Sequence, residues 1–142
     1  MKSNNMTDNK IILGLIGPIA SGKGTICQYL KEKYQAEIFR FSTILRNVLD
    51  QLYLEQNREN IQNLSRVLRQ TFGENLLSKA MLNDIKNSHA NIIVLDGVRR
   101  QTDIILIQDN PNFHLIEVRA DAQTRYERLI KRKENTDDQI KT

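Results

Sequence analysis

Nine consecutive residues, Gly17-Pro18-Ile19-Ala20-Ser21-Gly22-Lys23-Gly24-Thr25, carry the strongest chemical signal in the chain. They fit G-x-x-x-x-G-K, a spacing suited to holding phosphate. Glycines let the backbone curl until successive N–H groups converge on phosphate oxygens, where a Cβ would obstruct. A helix opening near Gly22 adds free N–H donors and the positive end of its dipole. Lys23 then brings a flexible point charge to the outer phosphates, and Thr25 a hydroxyl for phosphate or for a water of magnesium. The ligand expected on Gly17 to Thr25 is therefore ATP with Mg²⁺. One residue departs from the commonest pattern: Gly24 stands where Ser or Thr is usual, and Thr25 follows it.

Other residues have types that act on phosphates. Asp96-Gly97-Val98-Arg99-Arg100 follows an apolar, β-branched run. A carboxylate leaving a buried strand beside such a loop can organise magnesium through water, together with Thr25. Its plainer alternative is a cap on the turn. Arg99 and Arg100 compete for one phosphate contact. Arg46 lies on a helix whose inward face is Leu45, Val48 and Leu49. Arg128 and Arg132 are one helical turn apart, so both can reach the same anion. The plain reading of any of these arginines is a solvated surface cation, and for Arg66 and Arg69 that reading is preferred. Cys27 shares a face with Ile26 and Leu30 and reads as a small buried hydrophobe. His89 and His114 have neither a partnered acid nor ligand spacing. Tyr34, Tyr53 and Tyr126 read as core-edge residues.

The elements that must position these groups follow from periodicity. Ile11 to Ile16 is a short apolar run between a lysine and a glycine, as in a strand buried on both faces. Gly22 to Tyr34 reads as a helix and Glu37 to Phe41 as a second strand. Ser42 or Thr43 then caps a helix carrying Ile44, Leu45, Val48, Leu49 and Leu52. Asn60 to Phe72 places Ile61, Leu64, Leu68 and Phe72 on one stripe, stopped by Gly73. Glu74 to Asn87 is a further helix, and Asn91 to Leu95 the third strand. Thr102 to Gln108 admits either type, and its polar flanks with Asn110-Pro111 favour a helix. Phe113 to Arg119 is the fourth strand, and Asp121 to Lys133 a basic helix with Tyr126, Leu129 and Ile130 inward. Residues 1–9 form a polar, frayed tail before a domain over 10–142. Strands alternating with helices mean an α/β domain around a parallel sheet of at least four strands, with ligands at the strands' carboxyl ends.

The G-K-G-T ending resembles that of nucleoside monophosphate kinases, adenylate kinases in particular. Ser42-Thr43-Ile44-Leu45-Arg46 is similar to the adenylate kinase segment whose arginine grips the acceptor phosphate. Asp96-Gly97-Val98-Arg99-Arg100 is similar to that family's D-G-F-P-R. Glu127-Arg128-Leu129-Ile130-Lys131-Arg132 resembles the arginine pair leading into a mobile lid. The longer pattern, from Asn57-Arg58-Glu59-Asn60 through Leu68-Arg69 to Val94-Leu95-Asp96-Gly97-Val98-Arg99, resembles small P-loop kinases related to dephospho-coenzyme A kinase. The resemblance implies a three-layer P-loop NTPase fold and transfer of the γ-phosphoryl of ATP to a nucleotide-like or phosphorylated small acceptor. It implies an acceptor-binding helical insertion at about 42–88, with Ser42, Thr43, Arg46 and Arg99 on the acceptor. Lys23, Asp96, Arg99, Arg100, Arg128 and Arg132 form the implied catalytic set, and a lid starts at about 133–142. Three features depart from it. Thr43 stands where adenylate kinases have an aspartate, and Phe41-Ser42-Thr43 offers only hydroxyls where dephospho-coenzyme A kinases have an acid. Both families also continue past the position of Thr142, through the lid to a fifth strand and a last helix.

Composition bounds the remaining choices. The chain has 142 residues, 39% apolar and 27% charged, the profile of one globular domain. A net charge of +4 suits a small polyanion, while 6% aromatics and no Trp leave little for stacking nucleic acid. A single cysteine excludes an intrachain disulfide and a cysteine-cluster metal site. No apolar run approaches the roughly 18 residues of a membrane span. Ile11 to Ala20 after Lys10 has the length of a secretory h-region, but it runs directly into the phosphate loop and an amphipathic helix. A cytoplasmic monomer is expected, with ATP and a small phosphorylated acceptor as partners and neither nucleic acid nor membrane. A phosphotransferase leads two other classes, an NTP-hydrolysing switch and a nucleotide-binding module without turnover. Against the switch, the sequence holds no D-x-x-G or N-K-x-D guanine motif, and no acid follows Asp96-Gly97 as a base.

Overall fold

The structure, a computed structural model, describes residues 9–134. The polar tail before Asn9 and the lid segment after Glu134 lie outside the described residues. The elements run β1 (Ile11–Ile16), α1 (Lys23–Tyr34), β2 (Glu37–Arg40), α2 (Phe41–Gln51), α3 (Arg58–Phe72), α4 (Leu76–Asn87), β3 (Ile92–Asp96), α5 (Gln101–Ile104), β4 (Phe113–Glu117) and α6 (Ala122–Glu134). Among the described residues, the four strands pair in parallel in the order β2-β3-β1-β4. This is the expected α/β architecture.

Strand periodicity sorts the core into two layers. Ile12, Ile93 and Leu95 point to one face, where they pack with Met81 and Ile85 of α4, Ile104 of α5 and Ile107. Leu15 and Val94 point to the other, where Cys27 of α1, Ala36 and Val118 close the second layer. The central strands are thus buried on both sides, which is why β1 and β3 read as almost unbroken apolar runs. Gly14 leaves room for β4: a Cβ there would meet the Phe113 ring at 3.1 Å. At the amino end of the sheet Lys10 is buried, and its Nζ donates to the carbonyls of Ser88 (2.6 Å) and Ala90 (3.2 Å). That ammonium ties the start of β1 to the connection between α4 and β3.

Several expectations need correction. Ser42 and Thr43 do not cap α2: Arg40, with extended backbone, holds the N-cap position without a side-chain cap, because β2 passes into the helix with no loop between. The hydroxyls therefore lie inside the first turn. α3 begins at Arg58, with Asn57 accepting the Asn60 N–H at 2.7 Å. Phe72, at its last turn, is 63% exposed, and in α6 Tyr126 and Ile130 lie at the surface rather than inward. Tyr53 and Tyr34 are likewise exposed, Tyr53 with left-handed backbone. The helix after Arg100 is one turn, Gln101–Ile104, followed by turns, so the apolar run Ile104 to Ile107 is not a strand. β3 starts one residue later than expected and includes Asp96, and β4 ends at Glu117.

Burial first, and then the negative charge of Asp96, push the Cys27 thiol from 9.0 up to about 11. The fold therefore holds the thiol neutral at a pH where the unfolded chain ionises it. The resulting stability is whole below pH 9 and is lost as the pH climbs from 9 to 11. We expect the stability difference between wild type and Cys27→Ala to shrink over that window by as much as about 2 kcal/mol. Denaturant unfolding of both proteins at pH 8 and pH 11 checks this, and a constant difference refutes it.

Candidate functional site

The site is built where the strands end. After Ile16 the chain enters the loop 17–22, held against the end of β4, where the Val118 N–H donates to the Ile16 carbonyl at 2.8 Å. A Cβ on Gly17 would stand 2.4 Å from the Val118 carbonyl oxygen and 2.8 Å from Ser21 Oγ. Only glycine permits that approach. The Ser21 N–H donates to the Pro18 carbonyl at 3.1 Å, closing a turn in which Ala20 takes φ 62°. A non-glycine residue held there stores about 1–2 kcal/mol of strain. Gly22, at φ 109°, then opens α1. Ser21 is buried, and its Oγ has no hydrogen-bond partner among the described residues.

Lys23 arches back over this loop, donating from Nζ to the carbonyls of Gly17 (2.8 Å) and Pro18 (3.4 Å). Gly24 and Thr25 are exposed on the first turn of α1. Gly24 has open space where its Cβ would be. So the departure at that position is not imposed by packing.

Asp96 ends β3 in register with Leu15 on one side and Arg40 on the other. Its Oδ2 accepts from Arg40 Nε at 2.9 Å, and its Oδ1 is buried with no partner among the described residues. The N–H groups of Gly97 and Val98 both donate to the Leu15 carbonyl at 3.3 Å, fixing the carboxylate beside the loop. Arg40 was not anticipated from sequence. A cation closing a short strand reads as solvated, and its acid lies 56 residues away. The one available signal was its place at the carboxyl end of a parallel strand, where ligands collect.

The remaining arginines divide. Arg128 reaches the loop: its Nη1 donates to the Ala20 carbonyl at 2.8 Å and lies 3.6 Å from where a Gly22 Cβ would be. Asp121 steadies the start of α6 by accepting the Thr124 N–H at 2.7 Å. Arg132, one turn on, is exposed. Arg99 and Arg100 both lie exposed on the turn after Gly97, their N–H groups held by Asp103 Oδ2 at 2.9 and 3.0 Å. Ser42 and Thr43 lie in the first turn of α2, separated from Arg40 by Phe41. Arg46, a turn further along α2, is half-buried and donates to Gln56 at 3.5 Å, with no hydrogen bond to the loop among the described residues. The structure thus gathers Gly17 to Thr25, Asp96, Arg40 and Arg128, and leaves Arg46 bound to another partner.

A loop of this geometry between a strand and a helix, with an acid at the end of the neighbouring strand, defines the P-loop arrangement. The sequence profile of the AAA domain family matches residues 16–142. The chain belongs to this family. Its AAA domain is of the P-loop kinase-like kind. Among curated proteins it is similar to the UPF0200 protein of Methanococcus maripaludis strain S2, 25% identical over 128 residues, 89% of this chain and 69% of that one. It is also similar to the UPF0200 protein of Sulfurisphaera tokodaii, at 29% identity over 85% of this chain and 66% of the relative. With that of Methanocaldococcus jannaschii the identity is 27%, over 86% of this chain and 62% of the relative. The chain therefore spans about two thirds of the length of these relatives. The crystal structure of TT1252 from Thermus thermophilus shares the fold, with a TM-score of 0.56 at 15% identity over 87% of this chain and 73% of that one.

The two glycines make opposite predictions. Gly17→Ala should cost about 1–3 kcal/mol, because the Val118 carbonyl cannot yield without moving β4. Gly24→Ser, in open space within a helix, should leave stability within about 0.5 kcal/mol or raise it. Thermal melts of both variants decide; equal losses would mean that the loop does not approach β4 as described.

Proposed function

We propose that this AAA domain is an ATP-dependent phosphotransferase, moving the γ-phosphoryl of ATP to a nucleotide-like or phosphorylated small-molecule acceptor. The observation that carries the reading is Arg128, a cation from a distant helix hydrogen-bonded to the backbone of the phosphate loop. A transferring phosphoryl group spreads charge over its outer oxygens, and cations brought there from separate elements stabilise it.

The residues present suit a nucleotide and magnesium. Two polar atoms beside the loop, Ser21 Oγ and Asp96 Oδ1, are buried without partners among the described residues, and an unpaired buried group is costly until a ligand supplies its partner. Magnesium, when bound with the nucleotide, neutralises the outer phosphate oxygens; Thr25 and, through water, Asp96 would hold it. Lys23 now satisfies its ammonium with two neutral carbonyls, a weaker match than phosphate oxygens, so it can exchange them for the ligand. The loop N–H groups and the amino end of α1 bind the phosphates and orient them in line with the acceptor. Arg128 and Arg132, with Arg99 or Arg100, neutralise the phosphoryl group in transit. Ser42, Thr43, Arg46 and Arg99 serve the acceptor, within helices spanning about 42–88. Such chemistry asks little covalent work of the protein, so the absence of an obvious base in the sequence is no obstacle. Among the described residues no helix is long and apolar enough to cross a membrane. We place the enzyme in the cytoplasm as a monomer acting on small molecules.

Two variants test this reading. Lys23→Ala should weaken ATP binding by about 10- to 100-fold by calorimetry while leaving the melting temperature almost unchanged, since Lys23 lies over the loop rather than in the core. Asp96→Asn should depress turnover, measured by ADP release with a panel of phosphorylated acceptors, without weakening nucleotide binding in EDTA. Unchanged ATP affinity in the first, or parallel losses in the second, would defeat the assignment.

A further inference from the structure

Asp96 and Arg40 form an ion pair with an uneven division of exposure. The Arg40 side chain is 47% exposed and that of Asp96 only 12%. One carboxylate oxygen is held by Arg40 Nε at 2.9 Å, and the other is buried and bare of partners among the described residues. The carboxylate stands one strand away from the loop that receives phosphates, level with Leu15. An ionised acid so placed repels a polyphosphate that arrives without a metal. Arg40 offsets that repulsion. Its half-exposed position means the pair contributes little to stability and exchanges readily, whereas a buried pair would be locked. Arg40 also lines a groove of about 560 Å³ together with Gly24, Cys27 and Lys31 of α1.

We infer that Arg40 is a built-in counter-ion of Asp96: it occupies one carboxylate oxygen in place of a divalent cation and yields that place when the cation arrives with nucleotide. Arg40 is thus a positioning residue acting through Asp96. The inference rests on the proposed role of Asp96 in organising magnesium, and the test separates the two.

The measurement is ADP affinity by calorimetry, once with magnesium chloride and once with EDTA, for four variants whose folding is checked by thermal melts. Arg40→Gln should weaken metal-free ADP binding about tenfold, because the acid is left without its counter-charge. It should leave the affinity with magnesium within about twofold. Arg40→Lys keeps the charge and should hold metal-free affinity within about threefold of wild type. Asp96→Asn should tighten metal-free binding and erase the gain that magnesium brings. Arg40→Gln added to Asp96→Asn should then have no further metal-free effect. The counter-ion role is overturned if Arg40→Gln weakens binding equally with and without magnesium, leaves metal-free binding unchanged, or acts as strongly in the Asp96→Asn background. It is also overturned if Arg40→Lys loses affinity as Arg40→Gln does. A magnesium gain that survives Asp96→Asn refutes the parent reading of Asp96 instead.

Discussion

The Leu15 carbonyl accepts two N–H groups, from Gly97 and Val98, at the last step of the parallel pairing between β1 and β3. That pairing puts the beginning of the phosphate loop and the end of β3 at one level. Because both strands are buried on both faces, a slip of one residue would send Ile93 and Leu95 to the wrong layer, so the register is strongly specified. The same slip would move Asp96 by about 3.3 Å along the strand relative to Leu15 and the phosphate loop that follows it. Core packing and site geometry are consequently one constraint. The apolar side chains that stabilise the sheet also set where the carboxylate stands.

Around that level the chain brings together three cations and one acid. Lys23 comes from the first turn of α1, Arg40 from the edge strand and Arg128 from a helix near the other end of the sequence. The excess of positive charge suits an anionic ligand, and Arg40 partly screens the acid. Arg128 adds a structural link, since its bond to the Ala20 carbonyl couples α6 to the strained part of the loop. A displacement of α6 therefore acts on a loop residue with left-handed backbone.

The loop was readable from sequence because its physics admits few residue types: a glycine at the close approach to β4, another at the entry to α1, and a lysine after it. β1 and β3 were readable for a related reason, as short β-branched runs that only a doubly covered strand explains. Cys27 declared its burial through its neighbours. Arg40 was hidden because its partner is distant in sequence and its own surroundings are ordinary. Phe72, Tyr126 and Ile130 misled for another reason. Helical periodicity tells which side chains share a face, but the extent to which that face is covered is decided by neighbouring elements. Ser42 and Thr43 look like caps only if a loop precedes the helix, and here β2 runs straight into α2.

The two rims of the sheet differ in kind. At the amino rim, the buried Lys10 ammonium bridges two carbonyls, and Ser88 donates to Glu37 at 2.5 Å. The start of β1, the edge strand β2 and the turn before β3 are laced together there. The carboxyl rim is tied mainly through backbone, from Gly97 and Val98 to Leu15 and from Val118 to Ile16, and its cross-strand side-chain pair among the described residues is the half-exposed one between Arg40 and Asp96. The side-chain pair at the carboxyl rim is half-exposed while the Lys10 ammonium at the amino rim is buried, so exchange of partners by Arg40 need not disturb the core that the amino rim secures.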